Sequence, residues 1–198
     1  MKAARYRQFG GPEVLEIVDL PDPQAGPGQI RVAVHAAGVN PTDWKRRQGL
    51  MGGELPQTTG REVAGVVDEI GEGVTGVAVG DRVFGFSDDG AGAAELAPVT
   101  YYAPIPPSLG FAEAAGLPVA LETATRALDG LGVGVGSTLL VSGAAGGIGS
   151  AAVQLAVARG ARVIGTASPA SHEYLRSLGA RARRLRRGPR RAGSRARA

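Results

Sequence analysis

Apolar positions along this chain follow two different periods. Up to residue 100 they come in short runs, Val14–Val18, Gln29–His35, Glu62–Ile70, Asp81–Phe86 and Gly92–Ala97, each bounded by turn-forming residues. Clusters of Pro, Gly and Asp at 21–28, 71–73 and 88–90 separate the runs, and these residue types set turn geometry. The pattern predicts a β-rich domain built of short strands. One short helix is expected over Pro41–Gln48, with Asn40 placed to cap it and Pro41 in the first helical position.

After Pro104–Ser108 the period lengthens. Ala- and Leu-rich helical spacing runs from Phe111 to Leu131 with a break at Gly116-Leu-Pro118. The uninterrupted apolar run Thr138-Leu-Leu-Val141 then reads as a parallel strand covered on both faces. A helix from about Ile148 to the Arg159-Gly160 stop and a second strand over Ala161–Ala167 follow it. The fold class is therefore α/β, and the expected division is a β-rich domain at 1–122, an α/β unit at 123–180 and a tail at 181–198.

The corner between the first of these parallel strands and its helix reads Gly143-Ala-Ala-Gly-Gly-Ile-Gly149. Gly146 and Gly147 leave backbone N–H groups open to a diphosphate, and Gly149 lets the helix lie close to its strand. The helix N-terminus adds about half a positive charge aimed at the same place. Glycine-rich turns are common, but a strand before this one and a helix and strand after it are the context in which the motif cradles a dinucleotide. At the end of the second strand, where NAD-binding units carry a carboxylate for the ribose 2′-hydroxyl, the chain has Ala167-Ser168. That removes a charge that would repel a 2′-phosphate and supplies a hydroxyl donor, with His172 and then Arg176 as the next cationic groups, so the expected cofactor is NADPH.

Composition narrows the chemistry. The 198 residues include no cysteine and only two histidines, His35 and His172, which excludes disulfides and thiolate metal sites. No window has the length of apolar sequence that a membrane span needs, and the N-terminus lacks a signal-peptide core, so the cytoplasm is the expected location. The net charge of +4 is uneven: residues 181–198 hold 9 of the 22 basic residues and none of the 18 acidic ones, leaving 13 − 18 = −5 for residues 1–180.

Six ordered blocks, Gly38-Val-Asn-Pro-Thr-Asp-Trp44, Gly60-Arg-Glu-Val-Ala-Gly-Val-Val67, Val79-Gly-Asp-Arg-Val-Phe84, Gly116-Leu-Pro118, Gly143–Gly149 and Leu175-Arg-Ser-Leu-Gly-Ala180, resemble the zinc-independent medium-chain dehydrogenases/reductases, the quinone oxidoreductases related to zeta-crystallin. The resemblance covers residues 1–180. It implies a GroES-like domain followed by the first half of a Rossmann domain, NADPH as cofactor, hydride transfer to a quinone or other electron-poor, enone-like acceptor, and a homodimer. Asn40 and Arg61 stand where zinc-dependent relatives have cysteine and histidine. By the same resemblance Asn40 and Asp43 are the catalytic residues, Asn40 bonding the nicotinamide ribose or the substrate. Asn40, Thr123, Ala145, Gly146, Gly147, Ile148, Gly149 and Ser168 are the cofactor-binding residues. On the residues alone Asn40 reads equally as a helix cap, Asp43 as a first-turn carboxylate and Thr123 as a helix-surface residue.

After Ala180 the resemblance stops. Residues 181–198 are built of Arg, Ala, Gly, Pro, Ser and Leu alone, as GC-rich coding sequence gives when read in a shifted frame, so a truncation or frame change just after Ala180 is expected. Nine like charges with one leucine bury too little to offset ordering entropy, and the whole segment is expected to be disordered. Only two strands of the parallel sheet would then be present, with an open, association-prone edge. Two further readings stay open: an inactive remnant that keeps part of a nucleotide site, and salt-sensitive, non-specific nucleic-acid binding by the arginines, which lack the interleaved aromatics of a specific site.

Overall fold

Short runs bounded by turns lay down eight strands between Met1 and Val119, the first of two units; the second begins at Ala120. The computed structural model describes residues 1–184. In the first unit β1 (Lys2–Tyr6), β2 (Glu16–Asp19) and β4 (Gln57–Thr58) form an antiparallel sheet of order β2-β1-β4, where β3 is Ile30–Ala37. A second antiparallel sheet has the order β7-β3-β5-β6-β8, with β5 at Glu62–Ile70, β6 at Arg82–Phe86, β7 at Leu96–Val99 and β8 at Tyr102–Pro104. Ile30, Val32, Val63, Val67, Val83 and Val99 form its buried core.

The expected strands at 29–35, 62–70 and 81–86 all appear within two residues of their ends, because each carries β-branched residues at the buried positions. Two others move. Pro12–Val14 closes a single 3₁₀ turn, so the first run becomes strand only from Glu16. The Gly92–Ala97 run turns its early backbone toward β1, with the Ala4 N–H donating to the Ala93 carbonyl at 2.8 Å, and joins the five-stranded sheet only from Leu96.

Three helices accompany these sheets: α1 (Pro41–Arg47), α2 (Phe111–Ala115) and α3 (Pro118–Gly130). The break expected at 116–118 separates α2 from α3, and the boundary between units falls inside α3 at 119/120, three residues before the expected 122/123.

The second unit runs β9 (Thr138–Ser142), α4 (Gly147–Ala158), β10 (Arg162–Ala167), α5 (His172–Ser177) and β11 (Arg181–Arg184). The three strands are parallel in the order β11-β10-β9. Leu128, Val153, Ala156, Val163, Leu175 and Ala180 fill its core. Buried Gly165 lets β10 approach: a Cβ there would lie 2.9 Å from the Ala144 Cβ and 3.1 Å from Leu175 Cδ1.

β11 corrects one expectation. Arg181–Arg184 falls within the segment whose charge predicts disorder, but these four residues pair with β10 from Ile164↔Arg181 to Ala167↔Arg184, so the sheet has a third strand. The physical reason lies in the ladder. The β10 edge offers backbone groups that any extended segment satisfies, and the Ala180-Arg-Ala-Arg183 alternation sends both alanines inward and the arginines to solvent. The remainder of the expected tail, 185–198, lies outside the described residues.

Candidate functional site

The corner after β9 is built as a cradle. Gly143 turns the chain at φ +67°, a left-handed conformation that a side chain would strain. Ala144 is then buried, its N–H donating to the Thr166 carbonyl of β10 at 3.0 Å, and Gly146 caps α4 in extended backbone. The first backbone N–H of the α4 ladder is that of Ser150, bonded to the Gly146 carbonyl at 2.8 Å. The N–H groups of Gly147, Ile148 and Gly149 precede it, and the first turn of a helix has no intrahelical acceptors for them.

Gly149 and Gly147 differ in what surrounds them. A Cβ on Gly149 would run into the Gly143 carbonyl oxygen and lie 2.8 Å from Ala144 Cα, so this glycine serves the close packing of helix on strand. A Cβ on Gly147 would meet nothing within 4 Å. Gly147 thus leaves open space at the N-terminal end of α4, where N–H groups lack intrahelical partners, and such a helix end favours an anion such as a diphosphate. Ala145 packs half-buried against the core, and Ile148 is 48% exposed beside the opening. Ser168 is exposed just past β10 with its Oγ 3.4 Å from Ser171 Oγ, and His172 Nε2 lies 3.3 Å from the Ala167 carbonyl oxygen. A pair of hydroxyls and no carboxylate thus stand at the end of β10. Thr123, on α3, is half-buried and its hydroxyl donates to Glu122 at 3.4 Å.

In the first unit Asn40 and Asp43 both lie at the start of α1, and the Asn40 side chain reaches a residue that the sequence did not single out, Glu62. Asn40 is the N-cap of α1 and Asp43 its third residue; the Asp43 carboxylate accepts the Asn40 backbone N–H at 2.7 Å. Asn40 Nδ2 donates to Glu62 Oε1 at 2.6 Å, and Glu62 Oε2 accepts the Val119 N–H, in the first turn of α3, at 2.7 Å. Glu62 is only 2% exposed. Its signal was a carboxylate directly before the apolar stretch Val63–Val67 of β5.

Asp43 also borders a cavity of about 450 Å³, with Tyr6, Arg46, Gln57, Arg61 and Asp89 on its walls. Tyr6 is buried, and its hydroxyl donates to Gln57 Oε1 at 2.5 Å. Burial pushes this phenol above its ordinary pKa; Arg46 and Arg47 pull it back, and Asp43 adds to the push. Among the described residues no three His, Asp or Glu side chains gather as a metal site requires, and no helix is long and apolar enough to cross a membrane.

Residues 26–119 match the alcohol dehydrogenase GroES-like domain. The chain is 42% identical over 177 residues to the quinone oxidoreductase of Rattus norvegicus, covering 84% of this chain and 53% of that protein. It is 38% identical over 198 residues to the 2-methylene-furan-3-one reductase of Solanum lycopersicum, covering 91% and 50%. Escherichia coli quinone oxidoreductase complexed with NADPH superposes with a TM-score of 0.79 at 30% identity, over 94% of this chain and 58% of that one. The chain spans about half the length of the first two relatives.

Proposed function

The chain belongs to the quinone oxidoreductase family of the medium-chain dehydrogenases/reductases, and from that premise we propose that it binds NADPH at the α4 N-terminus and delivers hydride to a quinone or an enone-like acceptor without zinc. The observation that carries the reading is the contrast at the glycine corner, where the Cβ position of Gly149 is filled by its own fold and that of Gly147 is open, at a helix end whose N–H groups lack intrahelical partners. When bound, the nicotinamide supplies the hydride, and the protein contributes binding, orientation and electrostatics.

In this reading Gly147, Ile148 and Gly149 hold the diphosphate through backbone N–H groups, while Gly146, whose own N–H is bonded to the Gly143 carbonyl at 3.0 Å, lets the phosphates approach without a side chain and Ala145 shapes the floor beneath them. Ser168 donates to the 2′-phosphate, and Thr123 lies beside the nicotinamide. Asn40 bonds the nicotinamide ribose or the acceptor, with Asp43 holding its loop by the 2.7 Å bond to the Asn40 N–H. The cavity beside Asp43 takes the acceptor, and Asn40 and Arg61, in place of cysteine and histidine, offer zinc no ligands. The reading also carries the family's homodimer and a cytoplasmic location.

The test is a fluorescence titration of the full chain with NADPH, followed by NADPH oxidation with a benzoquinone and an enone. Binding with turnover is the expected result. Binding without turnover would leave only a nucleotide-binding remnant, and no binding would overturn the proposal. Gly147→Val sharpens it: nothing surrounds that position, so the variant is expected to fold normally while binding NADPH at least about tenfold more weakly, a loss of about 1.4 kcal/mol.

A further inference from the structure

Glu62 is the only buried charged side chain among the described residues, and both its oxygens are occupied. Oε1 takes the Asn40 amide at 2.6 Å and Oε2 the Val119 N–H at 2.7 Å. Room for the carboxylate is made by Gly38, where a Cβ would collide with Glu62 Oε1 and lie 2.5 Å from the Ala115 carbonyl oxygen. The Gly38 N–H in turn donates to the Glu62 carbonyl at 3.0 Å. A buried acceptor is thus held in one place by β5, the β3–α1 connection and the start of α3.

A carboxylate has no proton to donate here, so only the nitrogen end of the Asn40 amide can face it. Turning the amide over would set oxygen against oxygen beside a carboxylate that is only 2% exposed, the costly kind of unmade hydrogen bond. We infer that Glu62 is a positioning residue that fixes the polarity of the Asn40 amide, so that Asn40 presents its oxygen as an acceptor and selects a ligand hydroxyl, such as a ribose hydroxyl, as donor. This rests on the proposed role of Asn40 in binding cofactor or substrate.

Two substitutions separate positioning from simple structural support. In Glu62→Gln the shape is kept and Oε1 still accepts the Val119 N–H, but Nε2 now faces Asn40, which must turn its oxygen inward and its nitrogen toward the ligand. Between residues 62 and 40 one hydrogen bond is kept, while the donor and acceptor seen by the ligand are exchanged. Adding Asn40→Asp restores the acceptor, since one carboxylate oxygen takes the amide N–H introduced by Glu62→Gln and the other faces the ligand.

The experiment measures thermal unfolding, NADPH affinity and kcat/KM with a quinone for the wild type, Glu62→Gln and the double variant, together with the Asn40 side-chain amide signals by NMR in the unliganded protein. The expected result is that Glu62→Gln keeps its unfolding temperature and loses about tenfold or more in NADPH affinity or kcat/KM, the effect of one reversed hydrogen bond. The double variant is expected to recover most of that loss, and the wild-type Asn40 amide to show one downfield, slowly exchanging proton. Wild-type activity in Glu62→Gln, or a double variant no better than the single one, overturns the inference. If the wild type neither binds nor oxidises NADPH, the functional reading fails instead. The amide signal then decides the polarity alone: two ordinary, rapidly exchanging Asn40 amide protons overturn it even if neither variant folds.

Discussion

At the residue scale the candidate site is a matter of space as much as of functional groups. Gly38 is not in a left-handed conformation; its missing Cβ is what admits the Glu62 carboxylate. Gly38→Ala is expected to cost about 1–3 kcal/mol in urea unfolding, the usual penalty for overpacking, and to disturb Asn40 without touching it. Tyr6 gives a second expectation, with a defined sign. Its folded-state pKa is raised by burial, so its contribution to stability is complete below the unfolded value of about 10 and is lost as the pH rises through the higher folded value. Stability should fall with pH on the alkaline side, and Tyr6→Phe should flatten that fall while lowering neutral-pH stability by about 1 kcal/mol through the lost bond to Gln57. Denaturant midpoints measured from neutral to alkaline pH decide both points. Neither Glu62 nor Tyr6 announces itself in the sequence. A carboxylate before an apolar stretch and a tyrosine in Lys-Ala-Ala-Arg-Tyr read as ordinary until Asn40 and the start of α3 enclose the first and β4 the second.

At the element scale legibility follows how much each segment determines by itself. β10 alternates its buried residues at a period of two, β5 is a nearly continuous apolar run, and α4 is an apolar stretch between a glycine corner and a glycine stop, so each is readable from its own residues. β1 and β8 are paired by partners distant in the chain, and their own residues show little pattern. β11 is instructive because Ala180 and Ala182 alternating with arginine are visible, but the charge of the whole tail outweighs them; four residues on an existing edge need little more than Ala182 turned inward after Ala180. The glycine corner yields the element-scale prediction. Gly149→Ala should lower stability by about 1–3 kcal/mol because the new methyl has to displace the Gly143 carbonyl and Ala144. Gly147→Val should leave it nearly unchanged. Thermal unfolding of the two variants side by side tests whether one glycine serves packing while the other keeps the cradle open; equal destabilisation would remove that distinction.

At the scale of the whole second unit, the two outer strands of the sheet have opposite characters. β11 presents Arg181, Arg183 and Arg184, and like charges along an edge discourage pairing with a second copy. β9, Thr138-Leu-Leu-Val-Ser142, carries no charge or proline, pairs among the described residues only with β10, and leaves Leu140 65% exposed. An uncharged apolar edge of this kind is a template for another strand. The protein should therefore associate with itself through β9 in a concentration-dependent way. Leu140→Lys places a charge on that strand at a solvent-facing position, so it should shift sedimentation-velocity distributions toward smaller species at unchanged thermal stability. An identical distribution for wild type and variant would locate any association elsewhere. Raising the salt discriminates further, because contacts driven by apolar burial persist when charges are screened, whereas association through the arginines of β11 weakens.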